Sequence, residues 1–210
     1  MSTAAPERFG ETTVHRLSLD GPEAGGPADE AVLSGGERSR AAALRGEALR
    51  RRYVASHAAV RRLLAALVGG TPAALPIARG PNGKPELPGG PRFSLSHSGD
   101  LALVAIDPLH EVGVDVEQVR PVREADDIAA RWFSPEERAI LRAAGADGGA
   151  AFARLWTRRE AWLKALGVGL DEALAGRPVD LARFALHDLV PAPGRVGALA
   201  VELGPGGAAP

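Results

Sequence analysis

The chain has 210 residues, 45% hydrophobic and 24% charged, with a formal net charge of −1 at pH 7. This balance excludes bulk electrostatic attraction to nucleic acid or to a membrane surface as the organising principle of the protein. The absence of cysteine excludes disulfides, thiolate nucleophiles and cysteine-ligated zinc, and it fits a reducing compartment. The length allows one domain or two small ones.

Hydrophobic periodicity and turn residues predict strands and helices along the whole chain. The predicted strands are residues 14–19, 93–98, 101–106, 112–117, 183–187 and 195–202. The predicted helices are residues 36–68 with a break near Gly46, then 128–133, 135–144 and 150–166. Residues 1–12 and the tail 204–210 are expected to be irregular, and no internal repeat is visible.

We expect neither a secretory signal nor a membrane span in this sequence. Acidic and basic residues interrupt the first ten positions, so no secretory signal pattern is present. Glycine and proline break the apolar stretch 63–78, which excludes a membrane span there. We therefore expect a cytoplasmic protein that does not bind membranes.

The run VGVDVE at residues 112–117 is the first chemically informative motif. Side chains alternate across a strand, so Asp115 and Glu117 share one face and the three valines form the other, buried face. Gly113 lies on the acidic face, where we expect it to leave open space. The alternative interpretation is an edge strand whose carboxylates are simply solvated.

The run WTRREAWLK at residues 156–164 is the second informative motif. Glu160 and Lys164 are four residues apart on a predicted helix and therefore share a face. Trp156 and Leu163 lie close to that face, which favours an inward position over an exposed surface ion pair. Three carboxylates without histidine or cysteine suit Mg²⁺ better than zinc, and a neighbouring lysine suits a phosphate-bearing substrate.

The segment between Glu37 and Arg62 is strongly basic, with eight arginines against two glutamates. A solvated helix is one interpretation. The other is an anion cradle in which Arg40 and Arg52 hold a phosphate, because guanidinium groups bind phosphates in a bidentate manner.

Two short polar turns and one helix start complete the set of candidates. His97, in the Ser96-His97-Ser98-Gly99 turn, is either a hydrogen-bonded loop residue or a donor to a phosphoryl oxygen. The turn lacks the G-x-S-x-G elbow of serine hydrolases. Lys84 lies in a Gly-Lys-Pro turn. It is a candidate for phosphate binding, and the alternative interpretation is that its side chain is simply solvated. The run SPEE at 134–137 has the pattern of a helix capping box, with glutamate at its third position.

Taken in order, these motifs resemble the Sfp-type 4′-phosphopantetheinyl transferases of the holo-acyl-carrier-protein synthase superfamily. The family pattern is a G-(I/V)-D-(I/V)-E strand followed by W-(S/T)-x-K-E-(A/S)-x-x-K, and it matches residues 113–117 and 156–164. The Gly-Lys-Pro turn, the segment FSLSHS at 93–98 and FSPEE at 133–137 match in the same order. Arg159 replaces a usual lysine and Ser94 a frequent asparagine.

The resemblance implies an α+β fold with pseudo-twofold symmetry, in which two similar α/β halves flank the active site. The halves are expected at residues 1–107, with the coenzyme contacts, and 108–203, with the metal-binding acids, followed by the flexible tail 204–210. It also implies the activity of a holo-[acyl-carrier-protein] synthase, which moves the 4′-phosphopantetheine arm of coenzyme A onto a carrier-protein serine and releases adenosine 3′,5′-bisphosphate.

The resemblance also implies roles for individual residues. Asp115, Glu117 and Glu160 are expected to bind Mg²⁺, and either Glu160 or Glu137, directly or through water, to accept the serine proton. Lys164 and His97 are expected to neutralise developing charge. The residues expected to contact coenzyme A are Arg40, Arg52, Lys84, Pro85, Ser96, His97 and Lys164.

The expected partners are coenzyme A and an apo acyl or peptidyl carrier protein of fatty-acid, polyketide or nonribosomal-peptide synthesis, with the enzyme acting as a monomer. Two alternative functions use the same residues differently. A Mg²⁺-dependent pyrophosphate or nucleotide hydrolase would use the acids without a protein acceptor. A non-catalytic polyanion binder would use the basic segment and leave the acids idle.

Overall fold

The computed structural model describes residues 5–80, 82–170 and 175–204 of the chain. The strands are β1 Glu7–Phe9, β2 Thr12–Ser18, β3 Ala78–Arg79, β4 Pro85–Glu86, β5 Arg92–Ser98, β6 Leu101–Asp107, β7 Val112–Gln118, β8 Phe184–Leu189 and β9 Arg195–Glu202. The helices are α1 Pro27–Glu30, α2 Gly35–Ala43, α3 Glu47–Val68, α4 Ala125–Trp132, α5 Pro135–Ala143 and α6 Gly148–Leu166. None of these helices is both long and apolar enough to cross a membrane. The tail expected at 204–210 lies outside the described residues, apart from Gly204.

The chain divides into two compact units. Unit 1 comprises residues 1–78 and 85–108, and unit 2 comprises residues 79–84 and 109–210. Both combine helices with an antiparallel sheet, which confirms the α+β class. The short segment 79–84 belongs to unit 2 although residues on both sides of it belong to unit 1.

Unit 1 is a four-stranded antiparallel sheet with the strand order β1-β2-β6-β5, and α3 packs against it. Small alanines on α3, including Ala55 and Ala59, are buried together with larger apolar side chains of the sheet such as Leu17 and Phe93. The predicted break near Gly46 is confirmed, because α2 ends at Ala43 and α3 begins at Glu47.

Unit 2 is a three-stranded antiparallel sheet with the strand order β7-β9-β8, and α6 packs against it. Ala161, Trp162 and Phe184 belong to the apolar cluster between helix and sheet. A second cluster, containing Phe133 and Phe152, joins α4 and α5 to the first half of α6. Unit 2 therefore holds α6 in place from two sides.

The two units repeat one order of elements that the sequence does not reveal. In unit 1, β2 is followed by α1, α2 and α3 and, after the short β3 and β4, by β5 and β6; in unit 2, β7 is followed by α4, α5 and α6 and then by β8 and β9. The last strand of each series lies between the other two long strands, as β2-β6-β5 and β7-β9-β8, and unit 1 adds β1 beside β2.

Most predicted elements are confirmed within one to three residues at each end, but β1, α1 and the two-residue strands β3 and β4 are missing from the prediction. β1 occupies part of the stretch expected to be irregular, and it pairs antiparallel with β2. α1 has a single turn, too short for hydrophobic periodicity to reveal it.

Gly113 on β7 is where the helix of unit 2 approaches its sheet most closely. A Cβ atom built there would lie 1.9 Å from the Ala161 carbonyl oxygen and 2.4 Å from the Ala165 amide nitrogen. The prediction of open space beside Gly113 is therefore wrong, because the backbone of α6 occupies it. The absence of a side chain allows α6 to lie directly on the face of β7 that carries the acids.

We predict that Gly113→Ala destabilises the protein by about 3 kcal/mol or more, because the added methyl meets backbone atoms that cannot rotate away. Chemical denaturation measures the loss. The matched control is Gly148→Ala at the start of α6, where a Cβ meets nothing within 4 Å. Equal stability of the two variants would contradict the close helix–strand contact.

Candidate functional site

The acidic face of β7 meets a lysine of α6. The Asp115 side chain is 5% exposed, and its Oδ1 accepts a hydrogen bond of 2.6 Å from the Lys164 ammonium. The ammonium thus offsets the charge of a carboxylate that burial would otherwise disfavour. Glu160 lies one helical turn before Lys164, on the same helix.

Glu160 is electrostatically coupled to the whole group. Burial raises the pKa of its carboxyl, the Lys164 ammonium lowers it, and the carboxylates of Asp115 and Glu117 raise it, with a net upward shift. Lys164 thus contacts Asp115 directly, and the charges of Asp115 and Glu117 act on Glu160. We call these four residues the acid cluster.

The donor set of the acid cluster fits a hard divalent cation. Its acids offer only oxygen donors, and their mutual repulsion at Glu160 is what a bound cation would relieve. Among the described residues, no three histidine, aspartate or glutamate side chains already stand in the arrangement of a metal site. The Mg²⁺ site therefore remains a prediction.

Glu137, the second candidate for proton transfer, has its carboxylate engaged elsewhere. Oε2 accepts the Ser134 amide at 2.7 Å, within the capping box that begins α5. The same oxygen accepts a 2.6 Å hydrogen bond from Nη2 of Arg159, whose side chain is fully buried. No sequence pattern connects Arg159 to Glu137, so their pairing emerges only from the packing of α6 against α5.

Lys84, expected to contact coenzyme A, is used inside unit 2. Its ammonium donates to Glu111 Oε2 at 2.6 Å, to the Ala165 carbonyl at 3.0 Å and to the Val112 carbonyl at 3.2 Å. Three acceptors match the three protons of an ammonium group. Lys84 thereby ties segment 79–84 to β7 and to the C-terminal turn of α6, where a positive charge is favourable.

The basic segment is largely neutralised by its own unit. Four of its arginines pair with carboxylates, and these pairs are Arg50–Glu30, Arg52–Asp20, Arg61–Glu37 and Arg62–Asp29. Arg51 and Arg38 donate to backbone carbonyls. The arginine surplus seen in the sequence is therefore much smaller on the surface, which argues against a polyanion binder.

Arg40 and Arg45 are the exposed arginines of this segment without an ion pair or hydrogen bond among the described residues. Arg40 is on α2, and Arg45 lies in the break between α2 and α3. The sequence analysis named Arg40 but not Arg45. The signal available for Arg45 was its position beside the helix-breaking Gly46.

The remaining candidates lie in unit 1. Arg52 forms a two-pronged pair with Asp20, which lowers the pKa of that carboxyl through its hydrogen bond. Ser96 is buried on β5 and His97 is exposed on the same strand. Pro85 opens the short strand β4. Their contacts with coenzyme A stay predictions.

We predict that Glu160→Gln is more stable than the wild type at neutral pH in the presence of EDTA. A carboxyl whose folded pKa is raised loses folding stability as pH rises from its unfolded value through its folded value. Glutamine avoids that loss, so the difference should close at acidic pH. Thermal unfolding across pH measures it, with the exposed Glu124→Gln as control, and a less stable variant at neutral pH would contradict the coupling.

We predict that Lys84→Met costs about 1–3 kcal/mol of folding free energy, because Glu111 and two carbonyl groups lose their donor. Denaturant titration measures the loss, and the matched control is Arg79→Met in the same segment, where the arginine is exposed. Unchanged stability together with weaker binding of coenzyme A would show that Lys84 acts on the ligand instead.

Comparison with known proteins identifies the family of this chain. The family model of the 4′-phosphopantetheinyl transferase superfamily matches residues 111–195, the part that contains the acid cluster. The 4′-phosphopantetheinyl transferase HetI of Nostoc sp. is 33% identical over 91% of this chain and 87% of its own length. A phosphopantetheinyl transferase of Thraustochytrium sp. is 32% identical over 69% of this chain and 56% of its own length. The 4′-phosphopantetheinyl transferase psf-1 of Bacillus pumilus is 39% identical over 45% of this chain and 40% of its own length. The chain belongs to the 4′-phosphopantetheinyl transferase superfamily.

Proposed function

We propose that the chain transfers the 4′-phosphopantetheine arm of coenzyme A to a serine hydroxyl of an apo carrier protein, with Mg²⁺ held by Asp115, Glu117 and Glu160. The observation that carries the proposal is the acid cluster, in which the Lys164 ammonium contacts Asp115 and the charges of Asp115 and Glu117 act on Glu160. The family membership supports it, because its members act on coenzyme A and carrier proteins.

The reaction exchanges a phosphoanhydride bond for the ester bond of a phosphodiester. The serine oxygen forms a bond to the phosphorus that bears the pantetheine arm, and the bridging oxygen of the pyrophosphate leaves with adenosine 3′,5′-bisphosphate. A cation bound by the three acids would supply charge neutralisation on the pyrophosphate. Lys164, one turn from Glu160, can follow the charge that develops on the leaving phosphate.

The serine proton needs an acceptor, and we propose Glu160, directly or through a water. Its raised pKa makes it a better base than an ordinary carboxylate at neutral pH. Glu137 is the weaker candidate, since its Oε2 already accepts from Ser134 and Arg159. Glu160 can contact the cation and also accept the serine proton if Asp115 and Glu117 of β7 supply most of the cation's ligands.

We predict that an apo carrier protein incubated with the enzyme, coenzyme A and Mg²⁺ gains the mass of one phosphopantetheine arm. Intact-protein mass spectrometry detects the gain, and EDTA should prevent it. Fatty-acid, polyketide and nonribosomal-peptide carriers are tested side by side. No gain on any carrier would refute the transfer, and cleavage of coenzyme A without a carrier would identify a hydrolase.

The same assay tests the residues. Asp115→Ala and Glu160→Ala should reduce transfer at least about 100-fold while the fold persists, because each removes a charge needed in the transition state. Glu124→Ala, which removes an exposed glutamate of the same unit, is the matched control. Turnover near the wild-type value in either site variant would show that the cation and proton sites lie elsewhere.

A further inference from the structure

Each unit contains the same three-residue contact, which we call the clamp. In unit 1, the Glu37 amide donates to Ser34 Oγ at 3.2 Å, and Glu37 Oε2 accepts the Ser34 amide at 2.8 Å. The same Oε2 accepts a 2.5 Å hydrogen bond from Nε of Arg61, which comes from the long helix α3. The clamp thus fastens the first turn of α2 to α3.

The clamp of unit 2 has the same construction. The Glu137 amide donates to Ser134 Oγ at 3.3 Å, and Glu137 Oε2 accepts the Ser134 amide at 2.7 Å and Arg159 Nη2 at 2.6 Å. The glutamate side chains of both clamps are 16% exposed, and the arginine side chains are 2% exposed in unit 1 and 0% in unit 2. The two arginines are therefore equally removed from water.

The two arginines differ in how their other donors are satisfied. Nη1 of Arg61 donates to the carbonyl oxygens of Pro72, Ala73 and Leu75, at 2.7, 3.4 and 3.3 Å. Nε and Nη1 of Arg159 are buried and have no hydrogen-bond partner in the described part of the chain. The guanidinium carbon of Arg159 lies 5.9 Å from the centroid of the Phe133 ring.

Because of this difference, the Glu137–Arg159 pair can position α6 without adding to the folding stability of the protein. A buried charged donor without a partner costs folding free energy, and two apolar replacements for an ion pair are often no less stable. The clamp of unit 2 is thus a poor source of stability. It does, however, fix the turn of α6 that carries Glu160, because Arg159 is the residue directly before it.

We propose that Arg159, through Glu137, is a positioning residue that holds the Glu160 turn of α6 against the first turn of α5 at a cost in stability. Arg61 is its purely structural counterpart. The proposal rests on the transfer reaction proposed above, since it gives Glu160 its task. It also gives Glu137 a structural role in place of proton transfer.

The test compares matched double variants, Glu137→Gln with Arg159→Met and Glu37→Gln with Arg61→Met. Glutamine keeps the helix cap, and methionine keeps much of the arginine stem. In unit 2 we expect an unchanged or higher melting temperature, a kcat reduced about 10- to 100-fold and an unchanged KM for coenzyme A. In unit 1 we expect a lower melting temperature and an unchanged kcat of the folded protein.

Two single variants separate positioning from proton transfer. Arg159→Lys, which can still reach Glu137, should recover kcat to within a few fold of the wild type. Glu137→Gln alone should retain kcat within about tenfold, whereas loss of a general base costs about 100-fold or more. A loss of that size in Glu137→Gln, or no recovery in Arg159→Lys, would overturn the proposal.

Amide hydrogen exchange gives a readout that does not depend on activity. The unit 2 double variant should exchange faster in the first turn of α5 and in the turn of α6 around Glu160, with little change in β9. Unchanged exchange, or a melting temperature lowered as much as in the unit 1 double variant, would overturn the proposal. Failure of the wild type to modify any carrier would instead refute the transfer, while faster exchange would still show that the clamp couples the two helices.

Discussion

The contact of α6 with β7 at Gly113 is the constraint on which the rest of the site depends. A strand and a helix normally keep side chains between them, but here helix backbone lies where a Cβ of residue 113 would be. This close approach puts Lys164 within hydrogen-bond distance of Asp115 and lets the acids of β7 act on Glu160. With a larger residue at 113, the helix and the acidic face would be held apart.

The other contacts of α6 give it one position on the sheet. Apolar residues bury one side of the helix against β8 and β9, and a second cluster fixes its first half to α4 and α5. Lys84 binds the Ala165 carbonyl near the last turn of α6, and Arg159 binds Glu137 at the start of α5. Replacing a whole buried ion pair by apolar residues often costs little stability, whereas removing one partner destabilises the protein, and in either case the geometry of the pair restricts rotation and sliding of the helix. The raised pKa of Glu160 is the electrostatic consequence of that fixed placement.

The two units share one architecture, but they differ in how their buried charged groups are used. Each pairs its strands in the same order and caps a nine-residue helix with a serine and a glutamate bound to a buried arginine. In unit 1 the arginine is satisfied by three carbonyls, and the neighbouring arginines are paired with acids. In unit 2 the long helix α6 carries Glu160 and Lys164 of the acid cluster, and two guanidinium nitrogens of its Arg159 have no hydrogen-bond partner among the described residues. The buried arginine of the clamp is thus satisfied by more partners in unit 1 than in unit 2.

The family resemblance implied the α+β class, while the sequence by itself determined most helices and strands and named the four residues of the acid cluster. These follow from local rules: alternation places Asp115 and Glu117 on one face, and a four-residue spacing places Glu160 and Lys164 on one face. Only the tertiary structure decided which charged side chains form ion pairs or hydrogen bonds with other groups. Lys84, Arg52 and Glu137 look like available charged groups in the sequence, yet each has a partner that no periodicity indicates. The physical reason is that an ion pair depends on the distance between two elements, and that distance is set by packing. Gly113 is a second example. Its missing side chain indicates open space when the strand is considered alone, but the backbone of α6 occupies that space in the folded chain.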